Sequence, residues 1–333
     1  MAIGNKSNFK IYNEYAHSGY VETLQQVSEV FNQASLGTIK MVVNSRKGDF
    51  DYESFFKADD AGFISRRITT GTASLADVDD EPLEQNETVG VKVNRKIGPV
   101  ANTIDSFKKI QKGPFDENAL NFAVGVQSAK GAQVEMCNTA LRALRASLNA
   151  QAAMKHTVAS SGTITTTDLV DGLALMGDRA SRIVCWVMHS KVFFNLVKEQ
   201  IVRNVDGMSS FVVASASPVT LNRPVLVTDS PSLAIVSGSP PVTDYLTLGL
   251  TEGAMTLEDS EEQTIMTEVA MGKENLIVRF QGEYAYNMRM KGYTWDFAAG
   301  GENPTDSAIG TGSNWDKVAI DHKNGPGVIV QSR

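Results

Sequence analysis

From Phe115 to Ala153 the chain reads FDENALNFAVGVQSAKGAQVEMCNTALRALRASLNAQAA. Within it Val134, Cys137, Leu141, Leu144 and Leu148 recur at alternating spacings of three and four, the period of one helix face. Arg142, Arg145 and Asn149 fall on the opposite face, and Asp116 supplies an N-cap. A helix continuous from Asp116 to Ala152 would be about 55 Å long. That is long for a compact domain and has too few heptads for a coiled coil. The rest of the chain must therefore be arranged along it. Gly125 and Gly131 each cost about 1 kcal/mol relative to Ala, so a bend or break is expected in the first third.

Around this helix the pattern changes several times. Residues 1–19 are polar with scattered aromatics and read as an arm. Tyr20, Val21, Leu24, Val27, Val30, Phe31 and Ala34 follow at helical spacing after a capping Ser18. In 37–75, TIKMVVNS and GFISRRITT read as strands flanking a polar tip with Phe50, Tyr52, Phe55 and Phe56. Such an extension without a core of its own points to a partner surface. The acidic run DVDDEPLEQNE reads as a solvated loop. It leads to a half-buried strand in which Val89, Val91 and Val93 alternate with Gly90, Lys92 and Asn94. After the long helix, TDLVDGLALMGDRA reads as a helix, RIVCWVMH as a buried strand and SKVFFNLVKEQI as an amphipathic helix. FVVAS, PVLVTDS and SLAIVSG are short strands, and YLTLGLTEGAMTLE, IMTEVAMGKENLIVRFQGEYAYNMRM and KGYTW are long antiparallel ones. The tail after Trp295 reads as loop with one closing strand. The sum is an α+β chain.

Of the 333 residues 42% are hydrophobic and 21% charged, with a net charge of -7. This is the composition of a globular protein able to bury a large core. The charge argues against a nucleic-acid grip through a broad basic face. Cys137 and Cys185, each in an apolar stretch, read as buried reduced thiols of a cytoplasmic product. No apolar run long enough for a transmembrane helix and no signal peptide is seen.

The one cluster of reactive side chains in sequence is Cys185, His189 and Ser190. On a strand Cys185 and His189 share a face but stand roughly 13 Å apart, too far for a nucleophile–base hydrogen bond. Met188 and Val192 occupy the places where a nucleophile elbow carries glycine. Ser190 reads as a helix N-cap. His17, His156 and His322 have no metal-ligand spacing, and no phosphate-binding or dinucleotide loop is present. No catalytic, cofactor or metal residue is assigned, and no cofactor is expected.

The order of parts and several segments resemble the major capsid proteins of tailed bacteriophages with the Hong Kong 97-type fold. LALMGDRASRIVCWVMHSKVFFNLVKEQI, with its MHS step from strand to helix, resembles their axial-domain helix–strand–helix. NRPVLVTDSPSL, YLTLGLTEGAMTLED and YNMRMKGYTWD resemble the strands that follow, and ENPTDSAIGTGSNWDKV the C-terminal segment. The resemblance implies an N-terminal arm and short helix at 1–36, an E-loop at 37–75 and a peripheral domain with a spine helix at 76–158. It further implies an axial domain at 159–250 and returning strands with a C-terminal segment at 251–333.

The implied function is structural. Hexamers and pentamers would close into an icosahedral head around double-stranded DNA, assembled in the host cytoplasm and ending in the virion. The DNA would be held without sequence-specific contact, and an acidic lining would not condense it. Separate scaffolding and portal proteins, and a cement protein, are the implied partners; no membrane is. Lys47 and Lys57 lie where some relatives cross-link to a neighbour, but no partner asparagine is identified and a noncovalent shell is expected. Gly125 and Gly131 are the implied flexing points of the spine. Two readings stand beside this one: an encapsulin-type cellular compartment sharing the fold, and a cytosolic hydrolase using Ser190 or Cys185.

Overall fold

A computed structural model describes residues 32–33, 35–42, 51–57, 66–72, 77, 84–103, 105, 117–159, 162–206, 220–221, 223–239, 241–270 and 274–333. Its strands are β1 (Ile39–Val42), β2 (Asp51–Lys57) and β3 (Glu84–Thr103), then helix α1 (Glu117–Ala150) and β4 (Lys155–Thr157). Next come α2 (Thr166–Ala174), β5 (Ile183–Met188), α3 (Ser190–Asp206), β6 (Val225–Val227), β7 (Ala234–Ser237) and β8 (Val242–Thr251). Then β9 (Met255–Ala270), β10 (Ile277–Met290), β11 (Tyr293–Trp295), α4 (Phe297–Gly300), α5 (Asp306–Ile309), β12 (Trp315–Lys317) and β13 (Gly327–Ser332) complete the order.

Helix α1 is unbroken over 34 residues, about 51 Å. The break expected at its glycines does not occur. Gly131 faces open space, and the energy lost there is outweighed by the burial of the remaining turns. Of the residues that the three–four spacing picks out, Leu141, Leu144 and Leu148 are buried and Cys137 packs against the core, but Val134 is not buried, and the buried stripe also takes in small residues that the spacing did not select. Val134 is 60% exposed, while Ala129, Ala132, Met136, Ala140, Ala143, Leu144 and Leu148 are buried. Small residues dominate this stripe because the backbone of another segment comes close. A Cβ on Gly312 would lie 2.6 Å from the Ala146 carbonyl oxygen.

A five-stranded sheet has the order β1-β9-β10-β3-β2. Its register sets Val91 beside Met288 and Val93 beside Tyr286, and Met288 beside Leu257. These five face one core, which explains why Val89, Val91 and Val93 alternate. The other face is not simply solvated, since Lys92 and Asn287, a register pair, are only 5% and 4% exposed. The hairpin that the sequence placed on TIKMVVNS and GFISRRITT is built differently. β2 lies in the aromatic middle, and its partner is β3, with Tyr52 opposite Val89. Arg66–Thr69 are not in a strand. Tyr52, Phe55 and Phe56 are good strand formers, and a ready acceptor stood in the long β3. Helix 20–34 is described only at its end, residues 32–33. The arm, Asp116, Lys47 and FVVAS lie outside the described residues, and Lys57 ends β2.

A second sheet has the order β4-β13-β8-β5-β6, with β7 also paired to β8. Leu246, Leu248, Leu250, Val328, Ile329, Val330, Cys185, Trp186, Val187 and Met188 are all fully buried. Both faces of the central strands are covered, so these strands read as continuous apolar runs. Trp186 lies over Gly249, where a Cβ would meet its ring at 2.7 Å. The chain passes from one sheet to the other at Glu252–Gly253, where Gly253 takes φ +64, a value that favours glycine. Residues 251–333 are thus shared between sheets: β9 and β10 in the first, β13 in the second.

Candidate functional site

Cys185, His189 and Ser190 are brought to a joint rather than to a reactive centre. Cys185 sits in the middle of the second sheet and donates its thiol to the Trp186 carbonyl; burial pushes its pKa up. His189 Nδ1 accepts the Lys191 amide at 3.2 Å. His189, not Ser190, therefore caps α3, and Ser190 is the first helical residue. The displacement by one residue reflects the ability of a ring nitrogen in the fixed position to take the role of a serine oxygen. The His189 ring also rests on Tyr245 with centroids 4.9 Å apart, and Lys191 Nζ lies 4.8 Å above the same ring. Cys137 is half-buried, and burial followed by the nearby Glu135 charge pushes its thiol up to about 12. Neither thiol has the lowered pKa of an activated nucleophile.

The most densely connected polar group in the described structure lies where α1, the first sheet and the C-terminal segment meet. Glu135 of α1 accepts from Arg95 Nε of β3 at 2.7 Å and from Thr139 at 2.7 Å. It also accepts from Tyr284 at 3.0 Å and Tyr286 at 3.2 Å, both on β10. Arg95 reaches on to Asp306 at the start of α5, which pairs with Arg142 of α1 at 2.7 Å. Burial alone would raise the Asp306 carboxyl; hydrogen bonds from Arg142 and Arg95 outweigh it and hold it below the usual carboxylate range. Burial would lower Arg95, but Asp306 and Glu135 hold it above its ordinary value. Burial, then the Glu135 charge, pushes Tyr286 up. Arg142 and Arg145, placed by spacing on the face opposite the apolar stripe, are half-buried ties; Arg145 donates to the Ser232 carbonyl.

The segment after β10, expected as loop, is packed. Trp295 and Trp315 meet edge to face at 4.8 Å. Each indole N–H is satisfied, by the Gly301 and Ile309 carbonyls at 3.0 Å. The arrangement fixes four elements of distant sequence to one helix, which is a mechanical role rather than a chemical one. The sequence signal available for it was the tryptophan pair in a glycine-rich tail.

The α+β fold, two large sheets and a small β11–β12 pair along one long helix, is that of phage capsid proteins. A solved chain of Microbacterium phage Oxtober96 matches with TM-score 0.51 at 10% identity, covering 89% of this chain and 90% of that one. The capsid of Helicobacter pylori bacteriophage KHP30 matches with TM-score 0.51 at 9% identity, covering 89% and 88%. In sequence, the major capsid protein of Bacillus phage SPP1 is 27% identical over 154 residues, 45% of this chain and 44% of that protein. The chain therefore spans less than half the length of this curated relative. Residues 8–329 match the Gp13-like family, described as Major capsid protein 13-like, and the chain belongs to that family. It is a structural protein of the phage head by family, not an enzyme.

Proposed function

We propose that copies of this chain form hexamers and pentamers that close into an icosahedral shell around double-stranded phage DNA. The observation that carries the proposal is the pairing of a family match over residues 8–329 with two sheets tied to one 34-residue helix. Such a frame holds its own shape. The β2–β3 hairpin, the arm and the sheet edges are left to make modest contacts with neighbours, and many such contacts sum to a permanent shell. In this reading the first sheet and α1 form the peripheral domain with its spine helix, the second sheet forms the axial domain, and β2 with the start of β3 belongs to the E-loop. Scaffolding, portal and cement proteins are the proposed partners, and the DNA is enclosed without sequence-specific contact.

The test is negative-stain electron microscopy with size-exclusion chromatography, on the chain expressed alone and with the scaffolding protein of the same phage. Closed shells, tubes or rings of five and six are expected. Only monomers or dimers in both preparations would overturn the proposal.

A further inference from the structure

No metal-ligand spacing links His156 to any carboxylate in sequence, yet the fold brings three ligand-type side chains together at one edge of the second sheet. His156 lies on β4, and Asp168 and Asp171 lie in the first two turns of α2. One ligand atom from each falls within 4.8 Å of the others. Asp168 and Asp171 are three apart on a helix and so share a face. We infer that His156, Asp168 and Asp171 form a binding site for a divalent transition-metal ion of the zinc type.

The division of labour within Asp168 carries the argument. Its Oδ2 accepts both the Thr165 amide at 2.7 Å and the Thr165 hydroxyl at 2.6 Å, which fixes the carboxylate in the cap of α2. Its Oδ1 is thereby aimed at His156 Nε2, 3.5 Å away. Two ligands of a tetrahedral zinc ion with bonds of about 2.1 Å stand about 3.4 Å apart. The His156–Asp168 spacing is therefore that of two ligands on one ion, and the Asp171 ligand atom lies within 4.8 Å of both. A second observation concerns charge. Two carboxylates lie close together here, and the charged partner that either has among the described residues is His156, which pairs with Asp168 when protonated. The ion pairs elsewhere in the chain, such as Arg142–Asp306 or Lys323–Asp178, show the usual solution. A divalent ion bound among the three would neutralise both carboxylates with His156 neutral. One imidazole with two carboxylates suits zinc and its neighbours, whereas magnesium favours an all-oxygen octahedron.

A bound ion would staple the edge strand β4 to α2, across the connection that joins the end of α1 to the second sheet. The experiment is isothermal titration of the full-length chain with Zn2+ alone, repeated for Asp171→Asn and His156→Ala and for Mg2+. Asp171 is exposed, so Asp171→Asn leaves the fold intact and keeps the test valid should His156→Ala misfold. Asp168 is left alone because it caps α2. The expected result is one saturable Zn2+ site per chain, weakened at least tenfold by Asp171→Asn and by His156→Ala. No stoichiometric site in the wild-type chain, or wild-type affinity in Asp171→Asn, would overturn the inference. So would equal binding of Mg2+, which would mark a general acidic surface.

Discussion

At the scale of single residues, close approach and charge decide what each position tolerates. Gly249 lies beneath the Trp186 ring and beside Val328, with the place for a Cβ only 2.7 Å and 3.0 Å from them. Gly249→Ala is expected to cost about 1–3 kcal/mol, read as a lowered midpoint in denaturant unfolding of the unassembled chain. Asp306 gives a pH prediction. Its folded pKa is below the ordinary value, so its stabilising contribution is present above the unfolded pKa, about 3.9, and is lost as pH falls through the folded value. Side-chain exposure of 53% makes the contribution small. Melting temperatures of wild type and Asp306→Asn should differ at pH 6 and converge below pH 4. A constant gap across that range would refute the assignment. Little of this was legible in sequence. Arg142 and Arg145 could be placed only on the face opposite the apolar stripe, because helical period reports spacing, not which neighbour arrives.

At the scale of elements, α1 existed in the sequence as a periodic signal, which found Leu141, Leu144 and Leu148 of its buried face but not the alanines beside them. Three–four spacing of larger apolar residues selected Val134, which is exposed. The face that packs is rich in alanine, which carries little hydrophobic weight yet allows the 312–314 turn to touch the helix backbone. Gly131 sits in a continuous helix with open space around its missing side chain. Gly131→Ala should raise the stability of the unassembled chain by about 0.5–1 kcal/mol, measured by thermal unfolding. The same variant tests flexing at this glycine in the proposed shell: assembly and expansion like wild type would remove Gly131 as a hinge. The β2 strand was missed for the converse reason. Its aromatics suggested an exposed tip, and only the reach of β3 to Glu84 provides the partner that makes them a strand.

At the scale of the whole molecule, the last seven residues are as structural as the first sheet. β13 lies between β4 and β8, and Val328, Ile329 and Val330 are fully buried. Ending the chain at Pro326 removes a central strand and exposes the edges of its two neighbours. The expected outcome is insoluble or protease-sensitive protein without shells, checked by expression, limited proteolysis and electron microscopy. By itself the sequence determined the long helix, the strand character of β3, β5, β8, β9 and β10, and the α+β capsid fold. Those features rest on local period and on the order of parts, which the chain carries in one dimension. Only the tertiary structure decided that alanines complete the buried face of α1, that the tail is packed core and that residues 251–333 serve both sheets. Only it decided that His189 does the capping and that His156 meets Asp168 and Asp171. All but the His189 cap, which is local, depend on a contact between residues apart in the chain, and such a contact leaves no periodic trace in either partner.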